Sequence, residues 1–109
     1  MITQIRQFFK KERAGELSAE NGDAQSQGFI GEAYICGLRG VSVDLVEAVR
    51  WFKLSAEGGF EPSQFQYGRF LYFGLKGVVS VDKAQGLKWI KRAAEEGETV
   101  AIEFLKMYT

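Results

Sequence analysis

Histidine is absent from this 109-residue chain. With it go the commonest general base and the commonest transition-metal ligand. Cysteine occurs once, as Cys36, so no internal disulfide can form, which fits a reducing compartment. A lone thiol without an imidazole partner is also a poor candidate nucleophile. No apolar run approaches the ~18 residues that a membrane span needs. Met1 to Arg13 is charged throughout and lacks the apolar stretch of a signal peptide. Excess charge of either sign is missing too, since Lys plus Arg and Asp plus Glu number 14 each. That balance gives no general attraction to phosphate backbones or anionic lipid. These absences predict a soluble, cytoplasmic protein with no enzymatic activity, no cofactor and no metal, which binds neither nucleic acid nor membrane.

What is present is repetition. Leu17-Ser18-Ala19-Glu20-Asn21-Gly22 recurs as Leu54-Ser55-Ala56-Glu57-Gly58-Gly59, and again as Arg92-Ala93-Ala94-Glu95-Glu96-Gly97. Between these, Gly31, Gly37 and Gly40 return 37 residues later as Gly68, Gly74 and Gly77. Asp44 and Trp51 return 38 residues later as Asp82 and Trp89, so one residue is inserted just after Val78. A period of that length marks stacked repeats, each burying its apolar face against a neighbour. Such stacks make extended binding surfaces rather than catalytic pockets.

One repeat reads as two antiparallel helices. Helix A begins near Asp23, carries small or apolar residues at Ser26, Ile30, Ala33 and Tyr34, and ends at Gly37, where a left-handed residue closes the last turn. Helix B has an explicit start. Asp44 caps the free amides and Glu47 completes a capping box, as Asp82 and Gln85 do in the second copy. Val43 and Val81 precede the caps as apolar staples. Helix B then shows Ala48, Trp51, Phe52 and Ser55-Ala56 on one side and stops at Gly58-Gly59; its tryptophan is expected to fill the gap between hairpins. Pro62 falls in the first turn of the next helix A, where its missing amide costs nothing. The last copy runs from Glu98 to Tyr108 and stops after one helix. Ile2, Ile5, Phe8 and Phe9 have helical spacing and read as a degenerate helix B covering the open end. The expected organisation is all-α, with an N-terminal capping helix at 1–16, repeats at 17–53 and 54–91, and a half repeat at 92–109.

The first copy carries Ala19, Gly22, Ser26, Ile30-Gly31, Tyr34, Gly37, Gly40-Val41, Asp44, Ala48, Trp51-Phe52 and Ser55-Ala56. The second carries Ala56, Gly59, Ser63, Tyr67-Gly68, Leu71, Gly74, Gly77-Val78, Asp82, Gly86, Trp89-Ile90 and Ala93-Ala94. This order and spacing resembles the Sel-1-like repeat over residues 17 to 104. Three departures stand out: the turn is lengthened to Gly37-Leu38-Arg39-Gly40-Val41, Gly86 replaces an alanine, and Leu71 replaces a tyrosine. The resemblance implies a right-handed superhelix of helical hairpins, a solenoid of about two and a half repeats related to tetratricopeptide arrays, with a concave face lined by the A helices. It also implies adaptors and scaffolds rather than enzymes. Some secreted bacterial members carry a disulfide across each hairpin, and this chain lacks those cysteines.

Five of the nine residues from Phe65 to Phe73 are aromatic, more than one buried stripe needs, and Arg69 sits among them. Aromatics with arginine are the usual anchors of protein interfaces. Either this helix is sandwiched between hairpins and buries most of its sides, or one or two rings face a partner. Phe65 and Tyr72 are the expected exposed pair. Gly28 and Ile35 hold the equivalent places on the first helix A. Gln27, Glu32, Gln64 and Arg69 complete the expected protein-binding set, the alternative being a plain solvated face. Lys10, Lys11 and Arg13, like Lys88, Lys91 and Arg92, are followed by acidic residues and read as helix-end charge rather than a nucleic-acid site. Glu95, Glu96 and Glu98 read as a solvated turn rather than metal ligands. The Gly37 to Gly40 loop lacks the Gly-Lys-Ser/Thr ending of a phosphate loop. Cys36 reads as a packed small hydrophobe.

The expected function is therefore a protein–protein interaction module that engages a partner through its A helices. The chain starts at Met1, carries no export signal and ends after two and a half repeats, so it reads as a complete small cytosolic protein. The resemblance suggests a narrower version, a bacterial immunity protein that neutralises a toxin domain. The alternative is an adaptor or scaffold subunit of a signalling or quality-control assembly. A carboxylate-based enzyme or small-ligand binder is the distant alternative. Self-association through the open ends of the stack is a further expectation.

Overall fold

The helical spacing and caps of the sequence become five helices, with no strand, among residues 22–38 and 40–109, which the computed structural model describes. They are α1 (Ala24–Cys36), α2 (Leu45–Glu57), α3 (Glu61–Phe73), α4 (Lys83–Glu95) and α5 (Thr99–Tyr108). The capping helix expected over 1–16, and the first copy of the boundary motif as far as Asn21, lie outside the described residues. Helices α1 and α2 form one hairpin, α3 and α4 the next, and α5 is the single helix of the last copy.

Three devices close the first hairpin, and the second shares the last two, its Gly74 standing at φ 76° and ψ 168° and donating to the Phe70 carbonyl. The first is a glycine after helix A: Gly37, at φ 66°, donates its amide to the Ala33 carbonyl, and Leu38 donates to the same oxygen at 3.0 Å. Only a residue free of a Cβ penalty holds that left-handed closure cheaply. The second is the aspartate cap of helix B. Asp44 Oδ1 accepts from the Glu47 amide at 3.1 Å, and Asp82 Oδ1 from the Gln85 amide at 3.1 Å. The third is a backbone clasp that the capping-box pattern did not foresee. The Asp44 amide donates to the Tyr34 carbonyl at 2.9 Å, and the Asp82 amide to the Leu71 carbonyl at 2.7 Å.

Because the cap amide is already spent on helix A, the expected return bond from Glu47 is replaced. Its carboxylate instead accepts from Arg50 Nε and Nη2 at 3.0 and 2.9 Å. The residue inserted after Val78 is also accounted for. Leu75 and Val79 exchange backbone hydrogen bonds of 2.8 Å each way, a single antiparallel bridge that takes up the extra length and returns Asp82 to register. Val43 and Val81 stand over the turn glycines: a Cβ on Gly37 would meet Val43 Cγ2 at 3.2 Å, and one on Gly74 would meet Val81 Cγ2 at 2.8 Å.

The tryptophans are not the wedge. Trp51 and Trp89 are half-buried, whereas the next residue in each copy, Phe52 at 3% and Ile90 at 0% exposure, is enclosed. One position along a helix turns a side chain by about 100°, and that turn aims Phe52 at Gly31 and Ile90 at Gly68 within the same hairpin. Trp51 and Trp89 lie on the flank instead, each under an arginine: the Arg50 Cζ is 4.7 Å from the Trp51 ring and the Arg92 Cζ 5.5 Å from the Trp89 ring.

Between hairpins the contact is small and polar. Ser55 Oγ donates to the Ala24 carbonyl at 2.6 Å. Its single proton being used there, Ser63 is the donor in the 2.6 Å bond between the two hydroxyls. Gln64 Nε2 donates to the Ala56 carbonyl at 3.3 Å. At the next junction the matching residues are Ala93 and Ala101, both fully buried, and Phe65 and Phe104 pack edge to face at 5.9 Å.

Candidate protein-binding face

The short three-residue links at 58–60 and 96–98 bring α1, α3 and α5 side by side. Gly28 makes the α1–α3 approach possible: a Cβ there would lie 2.7 Å from Ser63 Oγ and 3.0 Å from the Phe60 ring. Phe29 and Phe60 meet edge to face at 6.5 Å across the same seam. On the far side, Tyr72 and Phe73 of α3 contact Phe104 and Tyr108 of α5, with ring centroids 5.3 to 5.9 Å apart.

This packing sorts the eight residues expected to bind a partner. Glu32 and Arg69 are exposed, while Ile35 and Tyr72 are half-buried. Gln27, Gly28, Gln64 and Phe65 are buried. Phe65, expected on the surface, is only 9% exposed because its ring turns toward α5 and packs on Phe104, with the Arg69 guanidinium 5.8 Å from its centroid. Gln64 is spent on the junction with α2, and Gly28 serves the helix approach. Of the aromatic pair, Tyr72 keeps part of its surface and Phe65 does not. The helix buries Phe65 and part of Tyr72, and of its five rings Phe73 is the exposed one.

The exposed aromatics are Phe29 at 54%, Phe73 of the same cluster at 50%, and Tyr108 at 47% exposure. The signal for Phe29 was present in the sequence, since it matches Gln66 in the repeat and so is not a shared core position. Cys36 is another correction. It is exposed, not packed, and its Sγ donates to Glu32 Oε1 at 3.6 Å. Local desolvation and the neighbouring carboxylate both push the thiol above its ordinary pKa.

A recess of about 310 Å³ opens on the α1–α3 seam, lined by Gly28, Phe29 and Glu32 on one side and Phe60, Pro62, Ser63 and Gln66 on the other, with Phe52 beneath. Its walls are mostly carbon. The Gln66 Oε1 atom is buried and makes no hydrogen bond. Among the described residues no group of three or more His, Cys, Asp or Glu side chains is placed to hold a metal ion, and no helix is long and apolar enough to cross a membrane.

Stacked helical hairpins with an exposed face of parallel A helices define the helical-repeat class of proteins. Residues 24–60 and 62–98 each match the model of the Sel1 repeat. The chain belongs to the Sel1 repeat family, whose repeats generally mediate protein–protein interaction. It is similar to the crystal structure of a Sel1 repeat protein from Oxalobacter formigenes, at 29% identity and a TM-score of 0.80, over 88% of this chain and 70% of that one. It is also similar to a protective antigen of uropathogenic Escherichia coli strains that displays an SLR fold, at 32% identity and a TM-score of 0.70. That match covers 80% of this chain but only 18% of the antigen. The fold is thus an all-α helical-repeat superhelix. The family model cuts the periodic pattern at another phase than the divisions at 17–53 and 54–91, giving one A–B hairpin to each copy.

Proposed function

We propose that this chain is a cytoplasmic, non-catalytic protein-binding module that holds its partner on the face shared by α1, α3 and α5. The observation that carries the reading is the exposure of Phe29 and Phe73 on that face beside the charges of Glu32 and Arg69. Half-exposed rings with a polar rim are the composition of an interface centre. The test uses immobilised wild type and a Phe29→Asp/Phe73→Asp variant of unchanged helicity, each exposed to lysate of the source cell. A partner captured by the wild type and lost by the variant supports the reading, and equal capture by both overturns it. One stoichiometric partner whose toxicity is blocked fits the narrower role of toxin neutralisation; several partners fit an adaptor.

Self-association is favoured by a different observation. The last helix, α5, leaves Val100, Met107 and Tyr108 exposed at the end of the stack. Sedimentation across a wide concentration range tests this, and a monomer throughout overturns it.

A further inference from the structure

We propose that the recess on the flank of α4, lined by Gln85, Lys88, Trp89 and Arg92, receives an acidic side chain of a partner polypeptide. The site lies on helix B, apart from the face shared by α1, α3 and α5, and stands or falls independently of that face.

The first repeat shows what these positions hold when they are filled from within. The four residues are spaced i, i+3, i+4 and i+7, one face of a helix, and border about 160 Å³. Their counterparts 38 residues earlier are Glu47, Arg50, Trp51 and Leu54 on α2. There the Glu47 carboxylate accepts from Arg50 Nε and Nη2 at 3.0 and 2.9 Å, and Trp51 also hydrogen-bonds it. The second repeat keeps a cation as Lys88 and the indole as Trp89, and adds a further cation as Arg92. In place of the carboxylate it has the neutral amide of Gln85. The four positions are thus neutral in α2 and carry two positive charges in α4.

The groups of α4 are open to an incoming carboxylate. Lys88 is exposed and has no ion pair among the described residues, and the Trp89 indole N–H has no acceptor among them. Arg92 meets Glu96 only at 3.6 Å, with both side chains exposed, a pair that water already weakens. The Arg92 guanidinium carbon and the Tyr67 ring, 5.5 and 5.7 Å from the Trp89 ring, hold the indole between them. A carboxylate placed there takes a charge-assisted bond from a cation and the indole proton, as Glu47 does on α2. Exposed charge pairs are individually weak, so a free small acid gains little. A side chain carried by a docked protein adds the contact to a larger interface, in a family whose repeats mediate protein–protein interaction. A nucleic-acid strand fits less well, because Glu95, Glu96 and Glu98 closely follow Arg92 and repel a polyanion.

The test titrates nitrogen-15-labelled full-length protein with a blocked alanine peptide carrying two adjacent glutamates, with its glutamine counterpart, and with inorganic phosphate. The glutamate peptide should shift the Trp89 indole N–H and the Gln85 and Lys88 amides, leave the Trp51 indole unmoved, and bind more tightly than the glutamine peptide. Gln85→Glu restores the internal carboxylate of α2 and should weaken binding by roughly ten-fold. The transplant Glu47→Gln/Leu54→Arg should make the Trp51 indole respond as well. Equal binding by wild type and Gln85→Glu, or an unmoved Trp89 indole, would overturn the proposal. Phosphate bound as tightly at the same resonances would overturn the assignment to a carboxylate. The response should survive in Phe29→Asp/Phe73→Asp, and its loss there would move the peptide to the A-helix face and sink the α4 site. Failure of the A-helix face to capture a partner leaves the Trp89 response intact, so the two readings fail separately.

Discussion

Gly68 and Gly86 meet backbone to backbone: a Cβ on Gly68 would lie 2.8 Å from the Gly86 carbonyl oxygen, and one on Gly86 would lie 2.7 Å from that of Gly68. At Gly86 the nearest atoms are all backbone, since the Tyr72 amide nitrogen also stands 2.7 Å from that Cβ. Overpacking of this kind costs about 1–3 kcal/mol, while replacing helical glycine by alanine returns about 1 kcal/mol of propensity. Gly86→Ala should therefore gain nothing from its better helix propensity and lose up to about 2 kcal/mol net in denaturant unfolding. A variant more stable than wild type would show that α3 and α4 separate freely. The alanine usual at this place in the repeat makes the substitution a direct test of how close this hairpin runs.

Ser55 and Ser63 form the polar clasp of the first junction, and Ala93 and Ala101 stand in the same places at the second. Ser55→Ala leaves the buried Ser63 hydroxyl without its Ser55 partner and takes from the Ala24 carbonyl its side-chain donor, at a cost of about 1–3 kcal/mol. Ser55→Ala/Ser63→Ala rebuilds the apolar form of the junction, so the double variant should lose less than the sum of the singles. A thermal-unfolding double-mutant cycle reads the difference. Strict additivity would mean that the hydroxyls do not act together.

Glu47 should make the protein more acid-sensitive. Hydrogen bonds from Arg50 are the main cause of its lowered pKa; desolvation opposes them, and the Arg50 charge and a Trp51 hydrogen bond add to the lowering from the ordinary 4.5. A carboxylate with a depressed folded-state pKa contributes stability above its ordinary range and loses it as pH falls through the folded value. Wild-type stability should thus fall more steeply below pH 4.5 than that of Glu47→Gln. In a Trp89→Phe background the Trp51 emission should change over the same interval. Parallel acid profiles for the two proteins would remove Glu47 from the explanation.

Cys36 should react slowly despite its exposure. Its pKa is raised from 9.0 by desolvation and by Glu32, and only the thiolate is nucleophilic. Alkylation by iodoacetamide should climb only at pH above 9.0, and Glu32→Gln should move the profile to lower pH. An unshifted profile in the variant would mean that the 3.6 Å contact with Glu32 has no effect on the thiol.

The periodic parts of this chain were legible because they depend on neighbours close in sequence. Asp44 and Asp82 begin helices as read, Gly37 and Gly58-Gly59 end them, and Pro62 falls in the first turn of α3. The candidate site was less legible. Glu32 and Arg69 are exposed, but Phe65 is buried and Phe29 was passed over. A run of five aromatics shows that a helix is surrounded without showing which ring points to which neighbour. The capping box failed for a similar reason. Its second bond competes with a carbonyl from another helix, a contact that the local pattern does not contain.

The order of residues alone determined that helices would form, where they would start and stop, and that they would repeat, because turns, caps and helical faces obey short-range sterics. Tertiary structure decided which side chains survived as surface. Placing α1, α3 and α5 shoulder to shoulder enclosed Phe65 between two of them and left Phe29 bare at the seam. That choice belongs to the angle and distance between helices, which small residues such as Gly28 and Ser63 set at the points of closest approach.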